Sequence, residues 1–213
     1  MTGRKPPGLS SFFALGRVRA LLNSGEIWQS AVMVPEARPE PTENGHVSKG
    51  EGWFVLNARN SRWYAGPGRS AFCDLEGDQN FSQLGININV LDPGVPMAMY
   101  HWEADQEDFL VLAGEALLII EGEERPLRQW DFVHCPAKAK HTIVGAGAGP
   151  CVVLAVGARV LSVDNPDWGG YTVDEVALRH DAGVRRETTK AEEAYSRFTK
   201  REPTVYREGW LPD

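Results

Sequence analysis

From Trp53 to Leu161 the chain is a succession of short apolar runs broken by Gly, Pro, Asn and Asp: WFVLNA, RWYAG, LGININVL, PMAMYHW, DFLVLAG, EALLIIEG, WDFVHCP, HTIVGAG and CVVLAVGARVL. Runs of this kind, recurring about every ten residues between turn formers, are strand signals and point to an antiparallel sandwich or small barrel. Two hairpins are expected: LLIIEGEERPL turning through Glu121 to Glu124, and IVGAGAGPCVVL turning through its Gly-Ala tract. No internal repeat is visible.

The flanks read differently. Residues 1–52 are expected to be an N-terminal arm or linker, with a short amphipathic helix in SSFFALGRVRALL and then a Pro-, Glu- and Gly-rich stretch that has little to bury. Residues 162–213 are expected to be a C-terminal extension with a helix near 189–198, packed outside the barrel, because Thr189 and Glu192 stand at capping-box spacing. With 213 residues, 42% of them hydrophobic, the chain can bury a core without a disulfide or metal staple.

A net charge of -7 argues against nucleic acid and anionic membrane, since both are bound by clustered Lys and Arg. No segment has the length or continuous apolarity of a secretory signal or a membrane span. Cys73, Cys135 and Cys151 form no CxxC pair, so a reducing cytoplasm is the expected location. The remaining partners are a small-molecule ligand or substrate, a metal and other proteins.

The stretch YHWEADQEDF, residues 100–109, concentrates acidic groups between two apolar runs. If PMAMYHWE is a strand, alternation puts His101 and Glu103 on one face. Glu107 opens the next strand, and His141 begins another after a proline turn. Two imidazoles and one or two carboxylates meeting in an apolar interior suit a divalent transition metal, Zn, Fe, Mn or Ni. The other register turns Tyr100 and Trp102 inward, leaves no metal site and buries a carboxylate without a partner. Glu103 is open to two readings, fourth ligand or solvated charge. Asp105 and Asp108 read as surface groups, His134 as core or pocket wall, and Cys135 as a buried thiol. Met97, Met99, Tyr100, Trp102 and Phe109 read as core.

In this order the residues resemble the cupin superfamily. Gly94, His101, Glu103, Glu107 and Gly114 answer to its first motif; Asp131, Pro136 and His141 answer to its second. The resemblance covers about residues 84–160. It departs where Glu103 stands for the second histidine and where Trp130 and Lys138 stand for glycines. It implies an all-β fold, a small antiparallel jelly-roll barrel over residues 53–161, and a homodimer. It also implies a metal held by His101, Glu103, Glu107 and His141. Two functions follow: a metal-dependent enzyme of dioxygenase or isomerase type, or a non-catalytic ligand-binding or sensing module.

Overall fold

The computed structural model describes residues 33–161, 165 and 167–213. The helix expected at SSFFALGRVRALL lies outside them. The strands in chain order are β1 (Glu40–Thr42), β2 (Gly45–Val47), β3 (Trp63–Gly66), β4 (Arg69–Asp74), β5 (Leu84–Leu91), β6 (His101–Glu103), β7 (Glu107–Ala113), β8 (Glu115–Ile120), β9 (Glu123–Arg128), β10 (Phe132–Cys135), β11 (His141–Ala146), β12 (Cys151–Ala158), β13 (Gly169–Tyr171) and β14 (Glu202–Thr204). Two short helices follow β13: α1 (Glu175–Arg179) and α2 (Ala191–Ala194).

The fold is all-β. A seven-stranded sheet runs β10-β7-β12-β5-β4-β3-β14, a five-stranded sheet runs β13-β6-β11-β8-β9, and β1-β2 form a separate pair. Their ladders are antiparallel. The expected barrel is therefore two facing sheets whose hydrogen bonding does not close into a ring. Alternation supplies the layer between them. Leu91, Phe109, Val111, Val133 and Val153 from the larger sheet meet Ala116, Leu118, Leu127 and Ile143 from the smaller.

The first expected hairpin is present and tighter than read. Ile120 pairs directly with Glu123, and Glu121 and Gly122 both have positive φ, +50° and +77°. That is the two-residue turn whose twist matches the flanking strands. The second expected hairpin is not a hairpin. β11 pairs with β8 and β6, whereas β12 pairs with β5 and β7, so the Gly-Ala tract carries the chain from one sheet to the other. Neither strand alternates between buried and exposed positions, β11 being buried almost throughout and β12 buried at its start and half-buried beyond, and a pattern without alternation carries no information about which sheet a strand joins.

Trp130 and Lys138 stand where the resemblance expects glycine, and both hold the left-handed backbone, φ +74° and +71°. The turn geometry is kept without the residue that adopts it freely.

Residues 33–52 contain β1 and β2, and Val47 is buried, so this part of the expected linker is hydrogen-bonded and packed. The C-terminal part does more than add an outer helix. β13 extends the smaller sheet beside β6 and β14 extends the larger beside β3. Ala177 and Ala182 bury Tyr100, Ile119 and Val144 on one sheet, and Tyr206, Trp210 and Leu211 close over Trp63 and Val90 on the other. The expected helix spans only Ala191–Ala194; its N-cap residue Lys190 makes no side-chain cap hydrogen bond, and the Thr188 hydroxyl just before it donates to Glu193 at 2.7 Å and accepts from Lys190 N. The expected Thr189–Glu192 capping box is not formed. No described helix is long and apolar enough to cross a membrane.

Candidate metal centre

In the smaller sheet His101 on β6 lies directly opposite His141 on β11, so their rings share one face, 5.0 Å apart between centroids. That face looks toward the larger sheet, where Glu107 opens β7 between Cys135 of β10 and Gly157 of β12. The Nε2 atoms of both histidines and a carboxylate oxygen of Glu107 lie within 4.8 Å of one another. Glu107 Oε2 is 3.3 Å from His141 Nε2 and 3.6 Å from His101 Nε2. Ligands bonded at about 2.1 Å to one first-row ion stand roughly 3.0–3.4 Å apart, so the spacing fits a shared ion.

The outer side of each ring is committed. His101 Nδ1 donates to Met99 O at 2.8 Å and His141 Nδ1 donates to Ala139 O at 3.0 Å, which leaves both Nε2 atoms facing inward as the coordinating nitrogens. Ala139 is aimed by the left-handed turn at Lys138, whose N–H donates to Glu103 O at 2.8 Å. His141 Nε2 and Glu107 Oε2 are buried and make no hydrogen bond of acceptable geometry, although they are close. Buried polar atoms are nearly always partnered, so a pair of orphans facing each other marks a place built for a third body.

Charge acts in the same direction. Burial pushes the Glu107 carboxyl up, but His141 and His101 outweigh it and hold the group below the usual carboxylate range. Burial opposes protonation of His141, but the Cys135 thiol and the Glu107 carboxylate more than offset it and raise the imidazole to about 10. The metal-free centre thus keeps positive charge beside Glu107.

Glu103 follows His101 on the same face, its Oε1 3.7 Å from His101 Nε2, at the edge of the three converging groups and on the side of a cavity of about 300 Å³. Tyr100 and Trp102 point the opposite way, Tyr100 beneath Ala177 with its hydroxyl accepting from Gly122 N at 3.2 Å. Both faces of β6 are covered, which is why two registers could be read from its sequence.

Other expectations are corrected. Asp105 is buried rather than superficial and accepts from Leu161 N at 2.8 Å. His134 is neither core nor pocket wall; it is on the exposed face of β10 and pairs with Asp108 at 2.7 Å. Cys135 is buried beside His141, and all three cysteines are free.

The cavity also has walls that the sequence reading missed. Asn87 and Asn89 enter from β5, and Trp168, Tyr171, Tyr195 and Arg201 come from the C-terminal extension. The asparagines left a signal: in LGININVL they alternate with apolar residues, a period-two polar face inside an otherwise apolar strand. The other four have no comparable pattern. A larger hollow of about 650 Å³ among Arg185, Arg186, Glu192 and Arg197 is bordered by exposed charged side chains and holds none of the three ligand residues.

Residues 88–157 match the family model described as the cupin domain. No curated protein matches the chain. Among solved structures, similarity extends to a candidate sugar phosphate isomerase from Acidithiobacillus ferrooxidans, with 31% identity over 37% of this chain and 51% of that one and a TM-score of 0.35. The match spans about half the length of that protein. A sugar phosphate isomerase of the cupin superfamily from Silicibacter pomeroyi shares 27% identity over 47% of this chain and 71% of its own, TM-score 0.40. A protein from Thermotoga maritima described as an oxalate decarboxylase by prediction shares 17% over 49% and 97%, TM-score 0.44.

Proposed function

We propose that the cupin domain at residues 88–157 holds one divalent first-row metal through His101, Glu107 and His141, and that the chain is a metal-dependent enzyme acting on a small organic molecule in the adjoining cavity. The observation that carries this reading is the buried, facing pair His141 Nε2 and Glu107 Oε2, 3.3 Å apart without a hydrogen bond, with His101 Nε2 converging on the same oxygen at 3.6 Å. Imidazole and carboxylate accept Zn, Fe, Mn and Ni alike, so the donor set supports the class of ion and not one member of it. When bound, the ion supplies a Lewis acid that polarises a substrate oxygen.

The residues of the chain do the rest. The Met99 and Ala139 carbonyls keep both imidazoles in the coordinating tautomer. Glu103, beside His101 and facing the cavity, is placed to take or return a proton on a bound molecule. A carboxylate free for proton transfer beside a polarising ion supports an isomerase more directly than an oxygenase.

Elemental analysis of the purified protein tests the first half, with about one ion per chain expected. Protein that stays metal-free after loading with each of the four ions would sink it. The second half is tested by Glu103→Gln, which should retain the metal and lose turnover of any substrate found by screening. A tightly bound metabolite that survives long incubation with metal and oxygen unchanged would instead favour a binding module.

A further inference from the structure

We infer that the molecule taken into this cavity is an anion, a small organic acid or phosphate ester whose charged oxygens are met by Arg201; this rests on the cavity reading above and deepens it. The observation is a guanidinium without a counter-ion. Arg201 lines the same cavity as His101, Glu103 and Glu107. Its Nε donates to Ser70 O at 2.7 Å and its Nη2 to Ser70 Oγ at 2.6 Å, while Phe72 stacks beneath it at 5.3 Å. These contacts fix the plane and leave Nη1 without a hydrogen bond among the described residues.

No described carboxylate lies within ion-pair distance of Arg201. Burial disfavours charge on Arg201, and so does the neighbouring cation Arg69, stacked on Tyr195 at 4.3 Å. Two arginines flanking the larger sheet are matched by carboxylates, whereas Arg69 on β4 is, like Arg201, without one among the described residues. Arg159, at a neighbouring hollow that also reaches Glu103 and Glu107, meets both oxygens of Glu76 at 2.6 and 3.0 Å, and Arg62 meets Asp74 at 2.6 Å. A guanidinium held rigid, partly desolvated and unmatched is a preformed seat for an oxyanion. With a divalent ion on the floor, Glu103 and Glu107 balance that ion, and Arg201 remains as the surplus positive charge in the cavity. Residue 201 lies outside the stretch that matches the cupin domain, so this specificity belongs to the extension.

The test is calorimetric titration of the full chain, metal-loaded and metal-free, with succinate, inorganic phosphate and the neutral succinamide. The expected result is that an anion binds about tenfold or more tightly than the diamide, and that Arg201→Gln abolishes this preference with metal content unchanged. Arg201→Lys should recover part of it. Succinate alone binding identifies a carboxylate ligand, phosphate alone a phosphate ester. Equal binding of diacid and diamide, no binding of either anion, or an anion preference that vanishes with the metal but survives Arg201→Gln would overturn the inference. Should Arg201→Gln fail to fold, the wild-type preference for anion over diamide decides. Because the metal-free titration reads Arg201 directly, a failure of the metal reading shows separately, in the elemental analysis.

Discussion

The floor and the wall of the cavity are built from different parts of the chain and by different rules. The floor, His101, Glu107 and His141, comes from strands within residues 88–157; its backbone carbonyls orient every imidazole, and its unsatisfied atoms face inward toward a common point. Apart from the asparagines of β5, the wall, Trp168, Tyr171, Tyr195 and Arg201, comes from the extension and is aromatic, with one unmatched cation. The floor determines which chemistry is available, and the wall determines which molecule meets it. Sites on rigid strands with variable surroundings commonly divide labour in this way.

That division can be broken most severely at the floor. His141→Ala or Glu107→Gln should reduce bound metal from about one per chain to nearly none, read by elemental analysis, because each removes one of three ligands. Retention of the metal in both variants would mean that the floor is not the binding site.

The floor should also respond to pH in a way the wall does not. His141 is raised from 6.5 to about 10, so in the metal-free protein its contribution to stability is full below about pH 6.5 and is lost as pH climbs through about 10. Glu107 is lowered, so its contribution is present above its ordinary range and is lost on acidification. A bound ion takes the place of the His141 proton. Thermal midpoints of metal-free and metal-loaded protein should therefore draw apart between pH 6.5 and 10, and an unchanging gap would contradict the assignment.

A wall substitution should cost stability and leave the metal alone. Tyr195 hydroxyl accepts from Met99 N at 3.1 Å, so Tyr195→Phe orphans a buried amide and should destabilise by about 1–3 kcal/mol in denaturant titration, with metal content unchanged. A loss of metal here would show that wall and floor are one unit. The smallest effect is expected at Lys138, exposed and left-handed, whose turn aims Ala139 at His141. Lys138→Gly should stabilise the chain by about 0.5–1 kcal/mol and keep the metal, since the turn's geometry and not its side chain serves the floor.

The sequence made the floor legible and left the wall dark for a physical reason. Strand alternation and ordered spacing tie His101, Glu103, Glu107 and His141 to their neighbours, so their convergence can be read locally. Tyr171 and Arg201 reach the cavity only because β13 joins β6 and β14 joins β3, pairings that no local pattern announces. The same gap explains the misread Gly-Ala crossing. Asp105 escaped because a carboxylate accepting a distant backbone N–H looks, in sequence, like any solvated acid.

The contact between Arg201 and Ser70 spans 131 positions, and this separation bears on folding order. Loop-closure entropy must be met before so distant a pairing is rewarded, whereas the strands of the floor follow one another closely. During folding the floor can therefore assemble with its ligand atoms still open to solvent, and the extension then docks across it. A segment that docks last is expected also to open first, and amides of β13 and β14 should then exchange with solvent before those of β11. Such opening would make the segment that lines the ligand cavity also the route by which ion and ligand enter.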